Sequence, residues 1–138
     1  MLISHALSNK TNNTRIANLP LHEDTESAYA IYDDDTLARL VTLNMQVFWS
    51  NATTPRPSRT YTYRVPQAFK MARVQRLMGT GADARTNLTL GGVSFDYELG
   101  GGKPVVVDRM AREEGVRVEG GVVRVEVPAS SGVLLSFE

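Results

Sequence analysis

The residues able to do acid, base or nucleophile chemistry are few and scattered. Asp96 and Glu98 alternate, which would put both carboxylates on one strand face. Such a pair serves glycoside hydrolysis only when a partner lies across a cleft, which a small single-domain chain rarely builds. Asp33, Asp34 and Asp35 offer oxygen to a hard cation. They lack the spaced acidic pattern and the distal bidentate Glu of a calcium loop, and a charged turn accounts for them better. Glu113 and Glu114 are adjacent and diverge on any regular element. His5 and His22 show no metal-binding spacing and are expected at the surface. The run Gly100-Gly101-Gly102-Lys103 is followed by Pro104 rather than Ser or Thr, and no helix pattern follows, so a phosphate loop is excluded on context. The chain has no Cys, which removes disulfides, thiolate metal sites and thiol nucleophiles. We therefore expect no catalytic residue, no metal site and no cofactor within these residues.

Binding is a different matter. Phe48, Trp49, Tyr61, Tyr63, Phe95 and Tyr97 could stack on a sugar ring, and Trp49 and Tyr97 are the candidates for carbohydrate contact. Trp49 closes an alternating apolar run just before a Pro-rich loop. It fits an exposed platform, or a cap on the core or on an interface, the second being the commoner fate of an aromatic. Four N-x-S/T triplets begin at Asn9, Asn12, Asn51 and Asn87 and make these the candidate glycosylation sites. Four in one small chain point to an exported, extracellular parent protein. Residues 1–3 are too short for a signal-peptide core, so no signal peptide is expected in this chain.

The elements that must position these residues read as strands. Period-two alternation dominates. Val41, Leu43, Met45 and Val47 point one way and Thr42, Asn44 and Gln46 the other, as in a half-buried strand with its apolar side inward. Tyr61, Tyr63 and Val65 alternate with Thr60, Thr62 and Arg64. Residues 27–32 and 69–77 are further strands. Residues 105–107 and 133–137 are continuous apolar runs, expected for central strands. Residues 116–127 predict a hairpin turning at Gly120-Gly121, with Val118 opposite Val123 and Val116 opposite Val125. Helix is expected only as one or two turns over 108–115. Residues 1–26 form a polar N-terminal segment, with 14–19 an edge-strand candidate, and residues 27–138 form the domain. The fold class expected is all-β, an antiparallel β-sandwich of about seven to nine strands.

A length of 138 residues suits one domain with its own core, and 42% hydrophobic residues are enough to fill it. Fifteen basic and fifteen acidic residues cancel, so the surplus that phosphate binding needs is missing and no nucleic-acid partner is expected. No apolar run approaches a membrane span, so no membrane partner is expected either.

Three segments carry a resemblance. The first is AYAIYDDDTLARLVTLN over residues 28–44. The second is RPSRTYTYRVP over 56–66, followed by VQRLMGTGADARTNLTLGGVSFD over 74–96. The third is the closing VRVEVPASSGVLLSF over 123–137. Together they resemble the C-terminal β-domain of glycoside hydrolase family 79, the fungal β-glucuronidase and heparanase-like group. One departure is Leu90, where many relatives carry Trp. The resemblance implies a non-catalytic domain that packs against and supports a (β/α)8 catalytic barrel absent from this chain. The family's two catalytic Glu residues lie in that barrel, and no position here matches them. It also implies that strand material from the parent's far N-terminus completes the sandwich. An unpaired edge and an apolar patch are then expected, with homodimers or strand swaps when the domain is isolated. The alternatives are a free-standing carbohydrate-binding module, with a glycan as partner, or an interaction domain that has lost its enzyme.

Overall fold

The computed structural model describes residues 2–7 and 13–138. Asn9 and Asn12 lie outside the described residues. The chain folds into two antiparallel sheets packed face to face, the all-β sandwich that the alternation predicts. Its strands are β1 (Thr14–Leu19), β2 (Glu26–Asp33), β3 (Thr36–Asn44), β4 (Ser58–Arg64), β5 (Met71–Met78), β6 (Thr89–Leu90), β7 (Val93–Ser94), β8 (Val105–Val106), β9 (Gly115–Arg117), β10 (Val122–Pro128) and β11 (Ser131–Phe137). The described residues thus hold eleven strands, more than the seven to nine expected. The surplus comes from β6 to β9, each only two or three residues long and too short to show a period. Three short helices complete the chain: α1 (Leu2–Leu7), α2 (Tyr97–Gly100) and α3 (Arg109–Arg112).

The large sheet runs β1-β2-β3-β11-β5-β6-β7-β8, with β9 also on β5. The small sheet is only β10 and β4. Between them lie Ala28, Ala30, Leu40, Val74, Val133 and Leu135 from the large sheet and Tyr61, Tyr63, Val123, Val125 and Val127 from the small one.

Local chemistry sets the geometry. The β2–β3 turn places Asp34 and Asp35 at φ +48° and +62°, the left-handed pair that a two-residue hairpin needs. Further along, Ile31 faces Arg39 while Tyr32 faces Leu37, so Ala38 is an extra residue on β3. This bulge shifts the parity by one and lets Leu37 and Leu40 share the core face.

Three expectations are corrected. The strand expected over 41–47 ends at Asn44. Its polar side, not its apolar one, faces the main core: Thr42 and Asn44 are buried, and Leu43 only half so. Thr42 Oγ1 shares a hydrogen bond with Tyr63 Oη at 2.5 Å, and Asn44 Nδ2 donates to the Val127 carbonyl at 3.0 Å. Each polar group is satisfied across the sandwich, so burial is tolerated. The hairpin over 116–127 does turn at Gly120-Gly121, both at positive φ, with Glu119 and Val122 exchanging backbone bonds. The pairing stops there. β9 joins β5 in the large sheet and β10 joins β4 in the small one, so the turn is a corner between sheets. Residues 105–107 form not a central strand but the edge, because β8 pairs only with β7.

Candidate functional site

The carboxylates serve as fasteners. Glu26 accepts from Arg59 Nη1 and from Tyr61 Oη, and Arg59 also reaches Glu23. Both carboxylates are thus engaged by one guanidinium, Glu26 directly and Glu23 at 3.9 Å. Burial, then the bond to Glu26, pushes the Tyr61 hydroxyl well above its ordinary value. Burial also raises Tyr63. Asp33 takes Arg39 at 2.5 Å and the Thr14 hydroxyl at 3.1 Å. Glu114 binds Arg76 through both oxygens. Asp96 and Glu98 do not share a strand face: Asp96 is the N-cap of α2 and accepts from the Asn87 amide at 2.7 Å, while Glu98 is exposed in the first turn. Extended backbone ends at Ser94 because the chain turns into α2. Among the described residues no group of three or more His, Asp or Glu could hold a metal ion. Exposed His5 lies on α1 and exposed His22 beyond β1.

Trp49 and Tyr97 are both exposed, at 55% and 81%, and they stand on different segments. Tyr97 opens α2. Trp49 lies on an irregular stretch, 45–57, that is tied down repeatedly. Phe48 N–H donates to Ser130 Oγ at 2.9 Å, and Phe48 C=O accepts from Ala82 N–H at 2.7 Å. Ser50 donates to Asp83 through both backbone and hydroxyl, at 2.9 and 2.7 Å, which holds the Asp83 carboxyl below its usual range. The Arg56 guanidinium reaches the carbonyls of Ala129, Gly79 and Ser130 and lies 5.4 Å from the Phe48 ring centroid. Desolvation lowers the Arg56 pKa. Asn51 and Asn87 are both exposed.

The large sheet is apolar on both faces. Its outer face carries Ile31, Val41, Leu90 and Leu134, with Tyr29, Leu43 and Leu77 beside them. Leu90, the departure from the Trp of relatives, is 1% exposed within this patch. Among the described residues α1 lies over part of it, burying Leu2 and Ala6, beside a groove of about 340 Å³ lined almost wholly by apolar side chains. Ile3 and Leu7 on α1 are exposed and line this groove with Tyr29, Ile31, Val41 and Leu43 of the sheet. Sequence reasoning missed α1, because six residues carry too little period to read; Leu2 and Ala6 at i and i+4 were the available signal.

The small sheet is open at β4. Val65 N–H bonds to Gly121 and Ala129 N–H to Pro57, so odd-numbered residues of this strand direct their backbone groups to β10. Those of Thr60, Thr62 and Arg64 point outward. Beside this edge lies a second groove of about 310 Å³, with Leu19, Leu21, Ala30, Tyr32 and Leu40 in its walls.

Residues 28–134 match the glycosyl hydrolase family 79 C-terminal beta domain. The chain is 40% identical over 135 residues to a beta-glucuronidase of Aspergillus niger, covering 89% of this chain and 25% of that protein. It is 36% identical over 106 residues to a beta-glucuronidase of Neurospora crassa, covering 62% and 19%. A solved 4-O-alpha-L-rhamnosyl-beta-D-glucuronidase from Fusarium oxysporum 12S, in complex with Rha-GlcA, superposes with a TM-score of 0.68 at 27% identity, over 88% of this chain and 25% of that one. The chain thus spans about a quarter of the length of the Aspergillus niger and Fusarium oxysporum proteins.

Proposed function

The chain belongs to the glycosyl hydrolase family 79 C-terminal beta domain family, and from that premise we propose that it is the accessory β-sandwich of a β-glucuronidase-like enzyme, bracing a catalytic barrel that lies elsewhere in the parent polypeptide. The observation that carries this is the second apolar face of the large sheet. A free-standing sandwich needs one apolar face per sheet. Here Ile31, Val41, Leu90 and Leu134 form the buried centre of a second, and around it Ile3, Leu7 and Ile16 stay exposed and Tyr29 and Leu43 half-buried. A surface of that kind is docked against something. The carboxylates are tied to Arg, Tyr and backbone donors, which fits a support and not a reaction centre. The parent's substrate class is then a β-glucuronide or related β-linked glycan, and the parent is exported.

The open edge at β4 extends the reading. The outward backbone groups of Thr60, Thr62 and Arg64, and the groove beside them, suit one more strand supplied by the N-terminal part of the parent. Isolated, the chain would offer that edge to a second copy. Sedimentation is expected to show self-association that rises with concentration; a strict monomer would count against the added strand.

The main test is a graft. This chain replaces the matching quarter of the Aspergillus niger beta-glucuronidase. The graft is expected to be soluble and to release p-nitrophenol from its β-glucuronide, while the pure chain releases none. Release by the pure chain that a single carboxylate substitution abolishes would overturn the reading. So would an inactive graft in which both parts are folded.

A further inference from the structure

We propose that Asn51 is a glycan attachment site whose first sugar rests on the indole of Trp49, so that a candidate stacking platform and a candidate sequon are one site. The order is Trp49-Ser50-Asn51-Ala52-Thr53, an aromatic two residues before the acceptor Asn and Thr two residues after it. The Ala52 N–H donates to the Trp49 carbonyl at 3.0 Å and closes a four-residue turn. Such a turn folds the chain back within four residues, with two residues separating its first and fourth positions, so an acceptor at its third position sits one residue from the aromatic's neighbour. The first and third positions are Trp49 and Asn51. Trp49 is 55% exposed, and Asn51 and Thr53 are exposed as well.

The turn is built before any sugar arrives. Its second residue, Ser50, is held twice by Asp83. The preceding residue, Phe48, is bonded at both backbone groups, and Arg56 holds the far side to three carbonyls. Little ordering entropy remains to be lost when a ring settles on the indole. One face of a pyranose presents C–H groups, which suit the negative face of an aromatic ring. The other exposed sequon offers none of this. Arg85, not an aromatic, precedes Asn87 by two, and Asn87 sits at φ +57° with its N–H on Asp96.

The covalent step is a glycosyl transfer that oxidises nothing. The Asn51 side-chain nitrogen bonds to C1 of an N-acetylglucosamine carried on a lipid pyrophosphate. The C1–oxygen bond breaks, the lipid pyrophosphate leaves with the electron pair, and the amide gives up one proton. A glycan here marks this end of the sandwich as solvent-facing in the parent, leaving the outer sheet face for docking. The proposal rests on the exported-enzyme part of the reading above, but its test needs neither graft nor barrel, so the two can fail separately.

The test secretes this chain from yeast behind a signal peptide. Peptide mass spectrometry is expected to find Asn51 occupied. Trimmed to one N-acetylglucosamine, the chain should melt about 3 °C above its Asn51→Gln variant, a shift of the size one modest contact gives. Trp49 is the only Trp, so its emission should shift and its quenching by acrylamide should fall with the sugar in place. In Trp49→Ala the melting difference should vanish while Asn51 stays occupied, and Trp49→Phe should keep part of it. An unoccupied Asn51, an equal melting difference in Trp49→Ala, or unchanged quenching would each overturn the proposal.

Discussion

The two faces of the large sheet use similar residues to opposite ends. The inner face is closed: β4 and β10 cover it, and Val133 and Leu135 are 0% exposed. The outer face has a buried centre at Ile31, Val41 and Leu134, yet it is flanked by the exposed Ile3, Leu7 and Ile16. Apolar area removed from water stabilises the chain itself on the inner side. On the outer side the centre is buried as well, but the apolar rim of Ile3, Leu7 and Ile16 is still wet, and its stabilising effect awaits another surface. Hydrophobicity alone does not separate core from interface; the covering element does.

That contrast can be broken by mutation. The largest effect is expected from Leu135→Ala on the inner face, a loss of about 3 kcal/mol in urea unfolding, since the cavity cannot collapse between two sheets. Leu43→Ala on the half-buried outer face should cost well under half of that. Equal losses would mean that both faces are core.

Next is Tyr63→Phe. It leaves the Thr42 hydroxyl buried without its partner and should cost about 1–3 kcal/mol. Adding Thr42→Val should recover much of the loss, because removing both polar groups costs less than orphaning one. Without recovery, the Tyr63 ring position and not the hydrogen bond sets the cost.

Alkaline pH probes the same inner face more gently. Tyr61 and Tyr63 are raised above the ordinary 10.0 by burial. Their folded forms keep protons that the unfolded chain has lost, so their contribution is fully present below pH 10 and fades as pH rises through the higher folded values. The urea midpoint should hold from pH 8 to about 10 and then fall, less steeply in Tyr61→Phe. A flat midpoint to pH 11 would show that neither hydroxyl is shielded.

The smallest effect on stability should come from Ile3→Ser with Leu7→Ser. Both side chains are exposed at the rim of the outer groove, so the melting temperature should barely move. Binding of an apolar dye should fall, and in the graft the activity or melting temperature should fall with it. A double variant that destabilises the isolated chain would make α1 part of the core instead.

Much of this was legible in the residues. The alternation Tyr61, Tyr63, Val65 and the run 133–137 gave the right faces, because period two is local to a strand. The turn residues Asp34-Asp35 and Gly120-Gly121 were legible for the same reason. The face of β3 was misread, since Thr42 and Asn44 look solvent-facing until Tyr63 and Val127 arrive from the other sheet to accept them. Asp96 and Glu98 were misplaced because nothing local shows a chain leaving extended geometry after two residues of β7.

The sequence by itself determined the strand-rich class, the positions of the tight turns and the candidate sequons, because propensity, φ preference and residue type act over a few neighbours. Only the tertiary structure decided which side of β3 is buried, that the Gly120-Gly121 corner divides two sheets, that one sheet has two strands and an open edge, and that Trp49 stands exposed beside Asn51. Those outcomes depend on partners far away along the chain, such as Thr42 with Tyr63 at a separation of 21 residues and Asn44 with Val127 at 83, and distance in sequence hides them until the sheets close.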